Sequence, residues 1–457
     1  MTTVTLVYPY FRRPHDKSIF RFPPLGLGYI ASYLRQNGIS TSLIDCTFLT
    51  QQEALERIRK TKPKIVGVYS MFSMKHPAIQ MAKVLKNNCE MLVAGGPLPT
   101  LSPEDFLNDF NVVAAGEGEQ TMLDLVNAVE NRHSLSTVKG IGYKKSDSKD
   151  DPETVYTPSR GFIEDLDRLP FPARDLFNNA SYKNHYSQNF GYTTTSLITS
   201  RGCPFQCDFC SRAVFGNAFR TRSATNIVDE METVQALGYD RIWFADDCFT
   251  LNRKRLLSIC DEIIRRGLKM DWECLSRVDT IDTETALKMK QAGCVRVFFG
   301  IESGNDAVLA LMRKEANANL ARKAVLTTKS AGIQAGAFFI VGYPGETDKT
   351  VLDTLKFASS LPVDYLSFTM PYPIPGTVLY DRVRDSIQFD DWKEPKHRTL
   401  TEHKLIYRSD FSEAKLKFAI VEGSAQFKLR KILGNRGYTL LGEPFERLTD
   451  FIFRHLR

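Results

Sequence analysis

Three cysteines, Cys203, Cys207 and Cys210, stand within eight residues in the run SRGCPFQCDFC, three residues separating the first pair and two the second. Thiolates at such spacing are soft ligands suited to zinc or to iron–sulfur iron. A structural zinc site is normally closed by four ligands, and no second paired Cys or His motif follows. The triplet therefore leaves one metal position open. Cys248, Cys260, Cys274 and Cys294 lack ligand spacing and read as core or rim residues, Cys248 standing out because it follows two acidic residues.

Polar residues recur where short apolar runs end. Asp246 and Asp247 stand in FADDCFT, Arg277 closes ECLSR, Glu302 and Ser303 lie in FFGIESG, Gly342 and Glu346 in FFIVGYPGET, and MPYPIPGT closes the last run. An arginine at such a point offers a two-toothed fork for a carboxylate, or simply a rim salt bridge. Glu346 reads equally as a cap on the next helix.

These residues need elements to position them. In the first 130 residues, strand candidates at 4–8, 40–45, 65–70, 91–95 and 112–115 alternate with helical stretches at 27–36, 52–60, 77–87 and 119–129. That alternation predicts a doubly wound parallel α/β sheet, Rossmann-like or flavodoxin-like, with ligands at the C-terminal strand ends. No G-x-G-x-x-G fingerprint follows the first strand, which disfavours a nicotinamide or flavin dinucleotide. Residues 131–190 read as a connector, carrying the turn-rich run KKSDSKDDPE and then IEDLDRLPFPARDLF. A second series, within 191–385, has strand candidates at 196–199, 241–245, 272–276, 295–300, 337–341 and 365–370. Six βα units fall short of a closed eightfold barrel. Residues 386–457 read as a polar loop and mostly helical stretches that cap the barrel.

Composition narrows the class. A chain of 457 residues exceeds one hydrophobic core, and its nine irregularly placed cysteines argue against a secreted disulfide framework. The opening MTTVTLVYPY reads as a first strand and no long apolar run appears, so a cytoplasmic location is expected. The net charge of +7 is assigned to a solvated surface; no nucleic acid is expected as a partner, and contact of the amphipathic C-terminal helices with a membrane or a lipid substrate is the lesser alternative.

The cysteine motif, with Phe209 before its last member, resembles that of the radical S-adenosylmethionine (SAM) superfamily. The ends of the first series resemble that superfamily's N-terminal cobalamin-binding domain: RFPPLGLGYIASYL, VGVYSMFS, VAGGPLPT and AAGEGEQT. The chain as a whole resembles the cobalamin-binding radical SAM family over nearly all of residues 1–385. The resemblance implies an open (β/α)6 partial barrel, with a [4Fe-4S] cluster on Cys203, Cys207 and Cys210. It places SAM near Phe209, Asp246, Asp247, Arg277, Glu302, Ser303 and Gly342. It places cobalamin near Leu25, Gly26, Ser70, Met71, Phe72, Gly95, Gly96, Pro97, Gly116, Glu117 and Gly118. Asp45 is followed by Cys46, Thr47 and Phe48, so the Asp-x-His-x-x-Gly motif that supplies a lower-face histidine elsewhere is missing. The implied activity is methyl transfer from methylcobalamin to an unactivated carbon, after hydrogen abstraction by a 5'-deoxyadenosyl radical. Radical cyclisation, ring contraction or rearrangement without net methylation is the alternative, and a non-catalytic cobalamin sensor or carrier the distant one. An electron donor such as flavodoxin or ferredoxin is implied, with a small-molecule, lipid or peptide substrate.

Overall fold

The structure, a computed structural model, describes residues 3–11, 20–145, 153–388 and 404–456. Five strands form a parallel sheet: β1 (Thr3–Tyr8), β2 (Ser40–Asp45), β3 (Ile65–Tyr69), β4 (Met91–Gly95) and β5 (Val112–Ala114), in the order β2-β1-β3-β4-β5. This is the flavodoxin-like order, with its ligand crevice outside the carboxyl ends of the strands. Apolar runs such as IVGVY and MLVAG make strands buried on both faces. Helices Leu25–Gln36 and Glu119–Asn131 cover one face, and Gln51–Lys60 and Lys75–Leu85 the other.

The sheet continues beyond residue 130. β6 (Ile141–Lys144) joins β5 antiparallel, and β7 (Thr154–Tyr156) joins β6 in the same sense. The stretch expected as a plain connector thus supplies two edge strands, helped by Gly142, where a Cβ would come 2.8 Å from the Tyr156 ring. The charged run lies at 144–153, of which residues 146–152 fall outside the described residues. The remainder of the connector straps the halves together. Its helix Asn179–Phe190 presents Tyr182, whose hydroxyl donates to Asp45 Oδ2 at 2.6 Å.

The second sheet starts with β8 (Thr194–Leu197). The short pair β9 (Ser200–Arg201) and β10 (Arg220–Thr221) then brackets the cysteine loop antiparallel. β11 (Arg241–Phe244), β12 (Asp271–Ser276), β13 (Cys294–Glu302), β14 (Gln334–Ile340) and β15 (Tyr365–Thr369) follow, in the order β8-β11-β12-β13-β14-β15. All five pairings are parallel and the sheet stays open, which is a (β/α)6 partial barrel. Helix Arg253–Arg266 shows how the sequence builds the outer layer. Asn252 caps its start by accepting from Arg255 N, Leu256, Ile259 and Ile263 form the inward stripe, and Gly267 at φ 64 ends it. At the C-terminus, helix Glu413–Gly437, interrupted at Gly434, packs on helix Asp348–Ser360 and on β15. It lies beside the last βα unit and is followed by a turn at Tyr438–Gly442 and helix Glu443–His455. Among the described residues no helix is long and apolar enough to cross a membrane.

The two halves are tied by buried charge. Glu230, fully buried on helix Ala224–Ala236, receives Arg174 Nη2 at 2.6 Å from the connector and Arg222 Nη1 at 2.5 Å from beside β10. The hydroxyl of Tyr29, on the first helix of the N-terminal half, donates to the same carboxylate at 3.5 Å. Truncating one member of such a group strands the others in a low dielectric, at about 3–5 kcal/mol. Glu230→Ala is therefore expected to lower the midpoint of urea unfolding strongly, whereas Asp385→Ala on the exposed rim is expected to leave it unchanged.

Candidate active site

The cysteine loop leaves β9 at Gly202, whose φ of +85 favours glycine. A Cβ there would meet Ala218 O at 2.3 Å, because the two limbs of the loop touch. Asp208, between two of the cysteines and 1% exposed, anchors the loop to the barrel. Arg382 Nη2 donates to its Oδ2 at 2.7 Å, and Arg313 Nε lies 3.2 Å from Oδ1. Its backbone N–H donates to Met312 O and its carbonyl accepts from Leu379 N. Desolvation, then Asp247 and the neighbouring thiols, raises the Cys210 thiol; desolvation is also the first cause for Cys203. The mutual influence places the three thiols and Asp247 in one neighbourhood. Among the described residues no group of three Cys, His, Asp or Glu side chains converges as a single ion would require. Three thiolates that each hold a different iron of a cluster need not converge, and metal binding removes their protons. The donor set fits a cluster.

The residues expected around SAM divide. Phe209 packs at the loop, with Lys314 Nζ 5.9 Å above its ring. Lys314 also pairs with Glu302 Oε1 at 2.9 Å, and both side chains are largely buried. Glu302 ends β13 in the left-handed region at φ 70, after a register shift against β14, a conformation costly for a residue with a Cβ. Gly300 makes room for the pair: a Cβ there would come 2.6 Å from Glu302 Oε1 and 3.2 Å from Lys314 Nζ. Asp247 is exposed at the end of β11.

Other candidates are engaged inside the protein. Asp246 is fully buried, accepting from Thr199 N and Ser200 Oγ, each at 2.6 Å, and from the Thr199 hydroxyl, so it fixes the turn between β8 and β9. Arg277 forks onto Asp279 with two bonds of 3.0 Å, donates to the Lys314 and Glu315 carbonyls and stacks 3.5 Å over Phe205. The rim-bridge alternative describes this side chain. Ser303 bonds Thr354 Oγ1 at 2.9 Å. Gly342 is buried at φ +83, its Cβ position 2.5 Å from Leu416 of the C-terminal helix. Glu346 caps that turn rather than a helix, accepting from Gly342 N at 2.7 Å and Tyr343 N at 2.8 Å; Thr347 caps the helix that follows. Cys248 is buried beside Thr250, its thiol pushed up to about 11 by burial.

Nine of the eleven expected cobalamin residues line two adjoining cavities, Ser70 and Phe72 lying outside both linings. One, of about 310 Å³, is lined by Leu25, Gly26, Gly95, Gly96, Pro97, Gly116, Glu117 and Gly118 and, from the barrel half, by Ile198, Arg201, Val214, Phe215 and Ala245. Space is left where side chains would stand: a Cβ on Gly26 has no neighbour within 4 Å, and on Gly116 its nearest is Val214 O at 3.9 Å. Gly96, at φ +106, could not take a Cβ because Ser70 O would lie 2.8 Å away. The second cavity, of about 430 Å³, shares Leu25, Gly26, Leu27 and Tyr69 and adds Met71 and the aromatics Tyr8, Tyr10 and Phe22. Ser70 is buried, its N–H on Gly95 O at 2.8 Å, and Phe72 packs between the cores of the two halves. Among the described residues neither lining contains a histidine. A mostly apolar cavity floored by glycines fits a corrinoid held without one.

Glu117 lines the first cavity, but its carboxylate is engaged. It pairs with Arg201 Nη1 at 2.6 Å and Arg220 Nη1 at 2.9 Å and accepts from Ile163 N at 2.7 Å, while Glu119 takes Arg201 Nη2 at 2.6 Å. Sequence reasoning missed Arg201, Arg220, Glu119 and Lys314. Arg201 had a signal, two residues before Cys203. Lys314 had only its position on the return from a short helix.

The geometry defines an open (β/α)6 barrel joined to a flavodoxin-like domain across a shared cavity. The radical SAM superfamily model matches residues 197–358 and the B12 binding domain model residues 16–126. An uncharacterised methyltransferase of Pyrococcus horikoshii is 36% identical over 79% of this chain and 78% of its own length. An anaerobic magnesium-protoporphyrin IX monomethyl ester cyclase of Rubrivivax gelatinosus is 30% identical over 86% of this chain and 72% of its own. The cobalamin-dependent SAM radical enzyme OxsB shares the fold at a TM-score of 0.78 and 18% identity, covering 100% of this chain and 72% of that one. The chain belongs to the cobalamin-binding radical SAM family. It is an enzyme whose cofactors are a [4Fe-4S] cluster, SAM and cobalamin.

Burial holds the Glu346 carboxyl up to about 7 from its ordinary 4.5, outweighing its two backbone hydrogen bonds. The folded protein then keeps a proton that the unfolded chain has released. Its contribution to stability is full below about 4.5 and is lost as pH rises through about 7. Glu346→Gln, neutral throughout, is expected to gain on the wild type by on the order of 3 kcal/mol across that window, read from urea midpoints at each pH.

Proposed function

We propose that the enzyme is a methyltransferase that places a methyl group on an unactivated carbon. The observation that carries this reading is the cavity walled by both halves, which brings the glycine-lined strand ends of the first sheet against the start of the cysteine loop at Arg201. When bound, the reduced cluster with SAM supplies a 5'-deoxyadenosyl radical that takes a substrate hydrogen, and methylcobalamin supplies the methyl group. Cys203, Cys207 and Cys210 hold the cluster. Gly95, Gly96 and Gly116 admit the corrinoid tail, and the apolar lining keeps water from it. The Glu302–Lys314 pair offers SAM both charges at a strand end, the ammonium for its carboxylate and the carboxylate for its amino or ribose groups. Arg277 is left to brace the loop. Kinship with the methyltransferase of Pyrococcus horikoshii supports the reading. Radical cyclisation without net methylation is the second reading, favoured by kinship with the Rubrivivax gelatinosus cyclase.

Products separate the two. Anaerobic turnover with substrate is expected to yield S-adenosylhomocysteine and 5'-deoxyadenosine together; deoxyadenosine alone would assign the cyclase-type outcome. Cys203→Ala, Cys207→Ala and Cys210→Ala combined should remove the iron and all SAM cleavage.

Lys314→Ala and Glu302→Ala are expected to keep their iron but to weaken SAM binding by about 1.5–3 kcal/mol, roughly ten- to a hundredfold in Kd by calorimetry. Unchanged SAM affinity in both would make the pair purely structural. Bound Co(II) cobalamin should show no coupling to a histidine nitrogen in its EPR spectrum, in keeping with linings whose described residues include no histidine.

A further inference from the structure

The C-terminal helices carry an apolar surface that no described residue covers. On helix Glu443–His455, Phe453 is buried, whereas Leu448, Phe451 and Ile452 face outward at 59, 60 and 38% exposure. They stand at i, i+3 and i+4, which is one face of the helix. The preceding turn adds Leu440 and Leu441, 76 and 68% exposed. Single exposed apolar residues are ordinary, but five on one short helical unit mark an interaction surface.

Charge indicates what meets it. Among the described side chains from 421 to 456, the exposed charged ones are Lys428, Lys431, Arg447 and Arg454. The acids are withdrawn. Glu422 is buried, Glu443 half-buried, and Glu446 and Asp450 pair with Lys356 at 3.4 and 2.8 Å. Arg447 and Arg454, two turns apart, flank one side of the apolar face. Two copies meeting through this face would bring like charges together, whereas an anionic sheet with an apolar interior satisfies both features. The helix is too short and too charged to cross a membrane.

We propose that this helical unit docks the enzyme on the surface of an anionic lipid bilayer. Helix Glu443–His455 lies along the interface, with Leu448, Phe451 and Ile452 at the acyl boundary and the cations among the headgroups. This departs from the solvated-surface reading of the net charge, because it is the distribution of cations around an apolar face, and not their sum, that selects a membrane. The inference is independent of the reaction catalysed.

The test is co-sedimentation of the full-length protein with vesicles of phosphatidylcholine alone or phosphatidylcholine mixed with phosphatidylglycerol. Binding to the mixed vesicles is expected, falling with added salt. L448S/F451S should lose about tenfold or more in affinity for them, and R447Q/R454Q about tenfold, with circular dichroism and iron content unchanged. No binding to either vesicle, or binding that L448S/F451S leaves intact, would overturn the proposal. A concentration-dependent dimer without vesicle binding, abolished by the same variant, would also overturn it and assign the face to a second copy.

Discussion

Arg201 is the constraint on which the catalytic arrangement turns. Its guanidinium, 4% exposed, is shared between Glu117 and Glu119, at the end of the first sheet, and it stands two residues before the first cluster cysteine. Removing a guanidinium and two carboxylates from water is costly, and only tight, multiply bonded geometry offsets that cost. The bonds of 2.6 Å therefore fix where β5 and its following helix lie relative to the cysteine loop. Arg220, on the other limb of that loop, bonds the same Glu117, so the loop is clamped to the N-terminal half from both sides. The rings of Phe215 and Tyr29 close over Arg201 at 5.0 and 5.5 Å and exclude water from the joint.

The same economy of position runs through the barrel. Asp208 holds the loop to its far side through Arg382 and Arg313, while Arg277 stacks on Phe205 within the loop. The thiols are thus carried on an irregular segment that is nonetheless fixed at several points, as a site without regular secondary structure requires. Three of the five described non-glycine residues with positive φ gather at one place, Lys62 and Arg132 being the other two. Glu302 with its positive φ, and Arg313 and Glu315 at φ 50 and 52, flank the Lys314 pair on both sides. Unfavourable backbone persists where surrounding contacts over-determine it, and such places concentrate at functional sites.

The C-terminal region stands apart from this logic. Its first helix contributes to the barrel by filling the space beside Gly342 with Leu416, and Lys415 reaches Asp348 at 2.9 Å. Its second helix is anchored by Phe453 and by Lys356, which holds Glu446 and Asp450. Among the described residues the outward face has no such partner.

Much was legible in the sequence because local rules dominate it. Buried parallel strands read as apolar runs, so β2 and β4 fall at the residues expected and the others within a few residues of them. The cysteine spacing showed a metal position left open, the resemblance it carries implied the cluster, and the glycine pairs at the strand ends prove to line a cavity. What sequence could not settle was which polar side chain at a strand end is left exposed and which partner each buried one takes. Asp246 and Asp247 are neighbours, yet one is buried under Thr199 and Ser200 and the other is exposed. Arg277 and Lys314 are both cations near the loop, yet Arg277 braces it while Lys314 meets Glu302. β6 and β7 escaped notice because short edge strands owe their existence to the strand they pair with. Pairing between Glu117 and Arg201, 84 residues apart, depends on how two independently patterned sheets dock. Periodicity, spacing and turn chemistry act along the chain, whereas the partner of a buried charge is chosen across it, and only the tertiary structure makes that choice.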